Sequence, residues 1–205
     1  MIEFEKQGVI NPICRTLVIT YPRQVVVHTG IYPYPEDIHN LLIEIKNNID
    51  PDVSYVSNVK GRMTSWHHFK DHPLFIKYLH YVINTQQRSN HKTFKHFYEK
   101  YVVSQAWGNE LRKGEYVKPH SHSCLHGILY LTEGAPLIVP DLTLKIHPRP
   151  GDYIILPAEL PHYVSEHTSD ASRFSIIFNA EEKINKASWD KTKRIEDKFE
   201  LEKTK

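Results

Sequence analysis

Cysteine is scarce in this chain of 205 residues, which holds only Cys14 and Cys124. Two cysteines cannot build the disulfide framework of a small secreted domain, so we expect both thiols to be reduced. The sequence also lacks a run of about 18 apolar residues, and we therefore expect no membrane span. Residues 1–6 lack the basic start and apolar run of a signal peptide. These absences together predict a cytoplasmic protein.

A dominant charge is lacking as well, because 26 lysines and arginines face 24 aspartates and glutamates, and the net charge is +2. So small a net charge gives no reason to expect a nucleic-acid partner. One stretch does interleave basic with aromatic residues, as in proteins that bind single-stranded nucleic acids. Its residues are Lys92, Phe94, Lys95, Phe97, Tyr98 and Lys100. A helix that covers the rest of the fold explains this stretch better, so we expect no nucleic acid.

The helical patterns lie in the first hundred residues. Residues 13–29 are rich in β-branched side chains and predict extended chain. Residues 36–49 and 73–87 repeat apolar residues at helical spacing and predict two amphipathic helices. A third, short helix is predicted over 91–98, whereas 50–66 has the pattern of irregular chain.

After residue 100 the pattern changes to short β-rich runs separated by glycine and proline. Runs this short and this evenly spaced are typical of an all-β barrel or jelly roll. The predicted strands are 101–107, 115–119, 126–132, 136–139, 142–147, 153–157 and 173–178. We therefore predict one mainly β domain over 1–180, with a jelly-roll barrel over about 101–179 and helical support over about 36–98. Residues 181–205 mix acids and bases densely and predict a charged C-terminal tail or helix.

Three histidines of the predicted barrel have a spacing that suits one metal ion. His120 and His122 are one residue apart, and alternate side chains of a strand face the same way, so their imidazoles should point together. His162 follows about forty residues later, after a predicted strand. Imidazole binds iron, zinc, copper and nickel alike, so the pattern does not name the metal. In a chain with 14 histidines, such a pair can also arise by chance and lie on the surface.

A candidate carboxylate site follows His162 in the sequence. Arg173 and Ser175 share a predicted strand face, where a guanidinium can hold a carboxylate through two parallel hydrogen bonds and a hydroxyl can add another. The phenol of Tyr130 points into the barrel near the same carboxylate if its strand is unbroken from residue 126. In the alternative interpretation, Arg173 is a surface arginine and Tyr130 only packs the barrel.

These residues and their neighbours resemble the 2-oxoglutarate/Fe(II)-dependent dioxygenase superfamily, and within it the small oxygenases of phages and marine bacteria. The resemblance covers roughly 55–179 and rests on the order and spacing of motifs that are individually unspecific. The motifs are Trp107-Gly108-Asn109, His120-Ser121-His122, Gly127-Ile128-Leu129-Tyr130, Pro150-Gly151-Asp152, Pro157 to His162, Arg173-Phe174-Ser175 and Phe178-Asn179, with 59–66 upstream.

The resemblance implies a double-stranded β-helix, which is the jelly roll of that superfamily. It implies a hydroxylase that consumes 2-oxoglutarate and molecular oxygen and releases succinate and carbon dioxide. The substrate is then an unidentified small molecule or protein side chain, and analogy with similar barrels suggests a homodimer. In this sequence the resemblance assigns Fe(II) to His120, His122 and His162, and 2-oxoglutarate to Arg173, Ser175 and Tyr130.

The sequence departs from the superfamily at one proposed ligand. The usual ligands are a histidine, an aspartate or glutamate two residues later, and a distal histidine. Here His122 stands in the position of the carboxylate. Three neutral imidazoles would leave the iron with its full +2 charge, which should tighten binding of the 2-oxoglutarate dianion.

Other residues remain candidates for the surroundings of the metal. A carboxylate of Glu115, Glu133 or Asp152 can complete the ligand set in place of an all-histidine site. Asn109 is a candidate for a supporting position around the ligands. His126 and Cys124 are candidates either for a fourth donor or for residues that line the pocket.

Two other classes of protein compete with the oxygenase interpretation. A cupin is also a β-barrel with a metal site, and Gly114 with the later histidine pair resembles its first signature, with His126 in place of the usual glutamate. A cupin would be a dioxygenase or an isomerase and would give Arg173 no defined task. The second class is a binding module, metal-stabilised or metal-free, that does no chemistry. Metal stoichiometry distinguishes it from both enzymes.

Overall fold

The computed structural model describes the backbone of residues 14–21, 23–88 and 94–183, and the side chains of 25–88 and 94–183. Within these ranges the chain forms twelve strands, three α-helices and one 3₁₀ turn. The elements are β1 (Cys14–Tyr21), β2 (Arg23–Ile31), α1 (Pro35–Asn47), β3 (Val59–Lys60), β4 (Arg62–Met63), α2 (Pro73–Arg88), α3 (Phe97–Lys100), β5 (Tyr101–Leu111), β6 (Tyr116–His120), β7 (Leu125–Tyr130), β8 (Leu137–Val139), the 3₁₀ turn (Pro140–Leu142), β9 (Leu144–Ile146), β10 (Asp152–Leu156), β11 (His162–Val164) and β12 (Arg173–Glu182).

Two antiparallel sheets form the layers of a jelly roll. The larger sheet has the strand order β1-β2-β10-β7-β12-β5-β4, and the smaller has the order β3-β6-β11-β8-β9. Successive strands such as β5, β6, β7 and β8 alternate between the sheets, so the chain closes around a shared interior. This arrangement confirms the prediction of a mainly β jelly-roll barrel with helices before it.

The interior between the sheets is apolar. Trp107, Ile128 and Ile177 of the larger sheet form one buried cluster with Val117 and Val164 of the smaller sheet. Burial of such side chains is the main force that holds two sheets together.

The outer face of the larger sheet is covered by the helices. Ile45 of α1 and Phe75 of α2 pack in one buried cluster with Phe174, Ile176 and Phe178 of β12. The apolar residues of both helices recur at three- and four-residue steps, so one face of each helix is apolar and lies on the sheet. Strand β12 is therefore buried on both faces.

Two of the differences between the predicted and the observed strands of the barrel have a clear physical reason. The prediction contained no strand at β11, whose three residues are too few to show an alternating pattern. The strand predicted from residue 142 begins only at Leu144, because the 3₁₀ turn precedes it and Thr143 adopts a left-handed φ of 49°.

The predicted end of the domain at residue 180 differs from the structure. Strand β12 continues to Glu182 because Ala180, Glu181 and Glu182 pair with β5, so the predicted tail starts inside a strand. Residues 184–205 lie outside the described residues. Residues 91–93 of the predicted third helix do as well, and the helix found beside them is α3.

None of the helices in the described part of the chain has the length and apolar content needed to span a membrane.

The close approach of α1 to β5 gives a test of this packing. A Cβ atom at Gly108 would lie 2.4 Å from Cγ1 of Ile45, so Gly108→Ala forces the helix away from the sheet. We expect it to lower the free energy of unfolding by about 1–3 kcal/mol, as overpacking usually does. Urea denaturation measures the loss. In a protein that already carries Ile45→Ala, Gly108→Ala should lower the free energy of unfolding by less. An equal loss in both backgrounds would contradict the proposed clash.

Candidate functional site

Three histidine side chains converge at one end of the barrel. His162 is the first residue of β11 and pairs directly with His120, the last residue of β6. The nitrogen atoms that His120, His122 and His162 can offer to a metal all lie within 4.8 Å of one another. The ring of His120 lies 4.6 Å from that of His162 and 4.9 Å from that of His122, measured between centroids. The structure thus brings together the three residues that the sequence singled out.

His122 reaches this cluster by a different route from the one expected. Strand β6 ends at His120, so strand alternation does not place His122 beside it. The residue lies instead in the connection to β7, where its carbonyl oxygen accepts a 2.7 Å hydrogen bond from the backbone N–H of Glu159. This bond fixes the loop that carries His122 against the segment that precedes His162.

The orientation of two rings presents free lone pairs to the centre of the cluster. Nδ1–H of His120 donates to the carbonyl oxygen of Lys118 at 2.8 Å, and Nδ1–H of His162 donates to that of Leu160 at 3.0 Å. In a neutral imidazole the other nitrogen, Nε2, then carries the lone pair. Nε2 of His122 and Nε2 of His162 are buried and have no hydrogen-bond partner. Orphaned imidazole nitrogens this close together form a donor set that can hold a metal ion.

Burial also keeps these imidazoles neutral. It lowers the pKa of His122 to about 3, with a further contribution from the neighbouring His120 and His162. It lowers the pKa of His162 to about 4, and it also lowers the pKa of His120. Metals bind neutral imidazole, so at neutral pH no proton has to leave before an ion can bind.

The carboxylates considered from the sequence do not join this cluster. Glu115 accepts a hydrogen bond from the hydroxyl of Tyr55 at 2.5 Å, Glu133 is exposed, and Asp152 accepts from the backbone N–H of Arg149. Among the described residues, the convergent group of metal-binding side chains consists of histidines alone.

Arg173 is buried in the same interior, with only 2% of its surface exposed. Its Nε–H donates to the carbonyl oxygen of Ala135 at 3.0 Å, and its Nη1–H donates to Oγ of Ser175 at 3.3 Å. The guanidinium lies 5.3 Å from the ring centroid of Tyr130. Burial lowers the pKa of Arg173, yet arginine remains charged at neutral pH. Within the described chain this buried cation has no carboxylate partner.

One cavity, part of it open to solvent, joins His120 and His162 to Arg173. Its walls include His120 and His162 at one end and Arg173 and Ser175 at the other, with Ile128, Ile177 and Val164 between them. Three further buried polar atoms in this interior have no hydrogen-bond partner: Nε1 of Trp107, Oδ1 of Asn109 and the hydroxyl of Tyr130. Unsatisfied polar groups are rare in folded proteins, so their concentration here indicates a ligand.

His126 and Cys124, both candidates for positions near the metal, lie in different places. The ring of His126 stacks on that of His122 at a centroid distance of 3.8 Å and lines the cavity. Cys124 is half-buried near Glu181 and Ala180, and burial raises the pKa of its thiol. Cys124 is not among the residues that line the cavity.

The sequence reasoning assigned no role to Gln105 or Trp107, although both belong to the site. Gln105 and Trp107 share the inward-facing parity of Asn109 on β5, and Oε1 of Gln105 accepts a hydrogen bond from Nδ2–H of Asn179. The two-residue period of a strand could have identified both, because Asn109 was already a candidate.

Solved structures share this fold. The viral collagen prolyl hydroxylase of Paramecium bursaria Chlorella virus-1, in complex with 2-oxoglutarate, matches with a TM-score of 0.57 at 14% identity, over 77% of this chain and 96% of that one. HygX of Streptomyces hygroscopicus, with nickel and 2-oxoglutarate bound, matches with a TM-score of 0.54 at 12% identity, over 75% and 82%. A prolyl-4-hydroxylase of Pseudomonas putida matches with a TM-score of 0.52 at 14% identity, over 77% and 92%.

These matches establish the fold. The chain has the double-stranded β-helix of the solved 2-oxoglutarate oxygenases, as the sequence motifs predicted. No protein-family model matches the chain, and no curated protein matches it.

The pKa values predict how metal binding depends on pH. Because burial lowers the pKa of His122 to about 3 and of His162 to about 4, protons should compete with the metal only as the pH falls towards those values. We expect the affinity of the metal-free protein for Co(II) to change little between about pH 8 and about pH 6, unlike a site of ordinary histidines with pKa values of about 6.5. Calorimetric titration at several pH values measures this, with His162→Asn as the variant that should lose the site. A steep loss of affinity between neutral and mildly acidic pH would contradict the expectation.

Proposed function

We propose that this chain is a non-haem Fe(II), 2-oxoglutarate-dependent dioxygenase that hydroxylates a substrate and releases succinate and carbon dioxide. One observation carries the proposal: within the described residues, a buried arginine without an acid partner shares a cavity with His120 and His162, two of the three converging histidines. The first feature calls for a carboxylate and the second for a metal ion. A 2-oxo acid with a distal carboxylate satisfies both at once.

The energetics of Arg173 favour an anionic ligand. A buried charge without a partner is costly, and structures normally offset it with an opposite charge. The guanidinium already donates to Ala135 and Ser175, and its remaining N–H groups can donate in parallel to a carboxylate. The hydroxyl of Ser175 accepts from Arg173 and is left with its own proton to donate.

The histidines would hold the metal ion at the opposite end of the cavity. Three protein ligands leave coordination positions open for a chelating co-substrate and for oxygen, and imidazole is a suitable ligand for iron. When bound, the iron supplies the activation of oxygen and the oxidation that decarboxylates 2-oxoglutarate and hydroxylates the substrate.

The other cavity residues orient the co-substrate and exclude water. Nε1–H of Trp107 and the hydroxyl of Tyr130 are buried donors without partners, and the amide of Asn109 offers a further polar group. These groups can hold the oxygens of 2-oxoglutarate between the metal and Arg173. Ile128 and Ile177 provide an apolar wall that keeps bulk water from the reacting atoms.

The solved structures with this fold support the proposal. The viral collagen prolyl hydroxylase holds 2-oxoglutarate, and HygX holds nickel with 2-oxoglutarate. The cavity described above has groups suited to the same two ligands. The substrate in this proposal is a small molecule or a protein side chain.

Anaerobic titration with Fe(II) and then 2-oxoglutarate tests the proposal directly. We expect one iron per chain and, on addition of 2-oxoglutarate, a weak visible charge-transfer band from the chelate. Iron without the band would favour a cupin-type metal enzyme. If the purified protein binds no metal, and His120→Ala leaves its stability unchanged, both enzymes are excluded and a binding module remains.

Replacing Arg173 separates co-substrate binding from folding. We expect Arg173→Met to raise the dissociation constant of 2-oxoglutarate at least thirtyfold, since loss of one partner of a buried charge pair costs about 2–5 kcal/mol. The same variant removes an unpaired buried charge, so the thermal midpoint of the protein without ligands should fall little or rise.

Arg149→Ala is the matched control, because the side chain of Arg149 is 75% exposed and forms an ion pair with Asp152. It should leave 2-oxoglutarate binding unchanged. Equal affinities of wild type and Arg173→Met would show that Arg173 does not bind the co-substrate.

A further inference from the structure

His122 differs from the other two proposed ligands in the way its ring is held. His120 and His162 each donate Nδ1–H to a backbone carbonyl oxygen, which fixes the direction of Nε2. Within the described residues, the ring of His122 makes no hydrogen bond to protein. Glu159 holds its backbone and not its side chain. Some other contact must therefore set the direction of Nε2 in His122.

The ring of His126 provides that contact. It is 3% exposed and lies parallel to the ring of His122, with 3.8 Å between centroids and 12° between planes. This is the shortest of the ring contacts within the histidine cluster, where the others run from 4.6 to 5.3 Å. A ring packed this closely on one face prevents its neighbour from turning towards it, because interiors leave no space for overlap.

His126 is itself fixed by a row of polar side chains across three strands. Its Nδ1–H donates to Oδ1 of Asn179 at 3.0 Å, and Nδ2–H of Asn179 donates to Oε1 of Gln105 at 3.0 Å. The register supports this row, because Asn179 of β12 is paired with His126 of β7 and with Gln105 of β5. The plane of the His126 ring is therefore anchored to the rigid sheet.

We infer that His126 is a positioning residue, which holds the imidazole of His122 in the orientation that the metal ion requires. The inference rests on the metal site of the proposed function. It assigns His126 no bond to the ion, in agreement with the convergent donor group, which contains the other three histidines and not His126. His122 lies in a loop, so no strand directs its side chain. The stack on His126 directs it instead.

Binding of Co(II) alone, without 2-oxoglutarate, tests this role in the full-length chain. His126→Ala removes the stack, and we expect the dissociation constant for Co(II) to rise about 10- to 100-fold, as for other residues that orient a metal-bound histidine. His126→Phe keeps a flat ring but loses the donor nitrogen that bonds Asn179, so it should restore most of the affinity and remain somewhat weaker than wild type. Calorimetry measures the affinity, and the visible absorption of bound Co(II) reports the coordination geometry, which should change in His126→Ala and return in His126→Phe.

His28→Ala is the matched control for loss of a buried, ring-packed histidine. His28 is 2% exposed and packs edge-on against Phe94 at 4.7 Å between centroids. It is paired with Ile155, whose side chain belongs to the helix-covered cluster on the other side of the sheet. Its removal should leave Co(II) affinity and absorption unchanged.

The outcomes separate this inference from the proposed function. Wild-type affinity and absorption in His126→Ala would overturn the positioning role and leave the metal site intact. A His126→Phe variant as weak as His126→Ala would also overturn it, because His126 would then act through its nitrogen as a ligand. A wild-type protein that binds no Co(II) would instead refute the metal site itself.

Asn179→Ala tests the same inference if His126→Ala does not fold. The substitution removes the acceptor that anchors His126 and leaves both histidine rings in place. We expect a smaller rise in the Co(II) dissociation constant than for His126→Ala. An unchanged constant and absorption would overturn the role assigned to His126.

Discussion

The antiparallel pairing of β12 with both of its neighbours is the constraint on which the site depends. Ser175 of β12 is paired with Asn109 of β5 and with Tyr130 of β7, and Asn179 is paired with Gln105 and His126. A shift of one residue would turn every inward side chain of β12 to the opposite face. The register is held by apolar residues on the outer face, where Phe174, Ile176 and Phe178 pack against the helices. The chemistry inside the barrel therefore depends on hydrophobic packing outside it.

The inward row of β12 explains why one strand serves both ends of the cavity. Arg173 and Ser175 lie at the end proposed to bind a carboxylate, Ile177 lies in the apolar middle, and Asn179 lies beside the histidine cluster. A register irregularity follows directly after Asn179. Such bulges commonly end or redirect a strand beside a functional site. The strand would thus set the separation between a metal ion at the histidines and a carboxylate held by Arg173.

Much of this arrangement could be predicted from the sequence, because polar residues at every second position of a buried strand reveal which residues face the same side. Arg173 and Ser175 were identifiable in this way, whereas Asn109 and the three histidines were identified by the order and spacing of their motifs. The paired helices were predicted because their apolar faces have a clear period. The jelly roll was predicted because its strands are short and separated by turns.

Other features depend on contacts between segments that are distant in sequence, and no local pattern encodes them. The position of His122 is set by a hydrogen bond from Glu159, and the role of His126 is visible only once its ring lies on that of His122. The three residues of β11 are too few for a period, so that strand becomes visible only through its pairing with β6 and β8. The lack of a carboxylate partner for Arg173 within the described residues is likewise a property of the folded chain.

The all-histidine donor group changes the electrostatics of the cavity. In a site with a carboxylate ligand, that ligand offsets one charge of a divalent ion, whereas three neutral imidazoles offset none. A divalent ion here would face the buried charge of Arg173 across one cavity, and the two cations would repel each other through an interior of low dielectric constant. A dianionic co-substrate placed between them removes this repulsion and replaces it with attraction at both ends. The binding affinities for the metal and for the co-substrate are therefore coupled at such a site. The bound metal attracts the dianion, and the bound dianion removes the repulsion between the metal and Arg173.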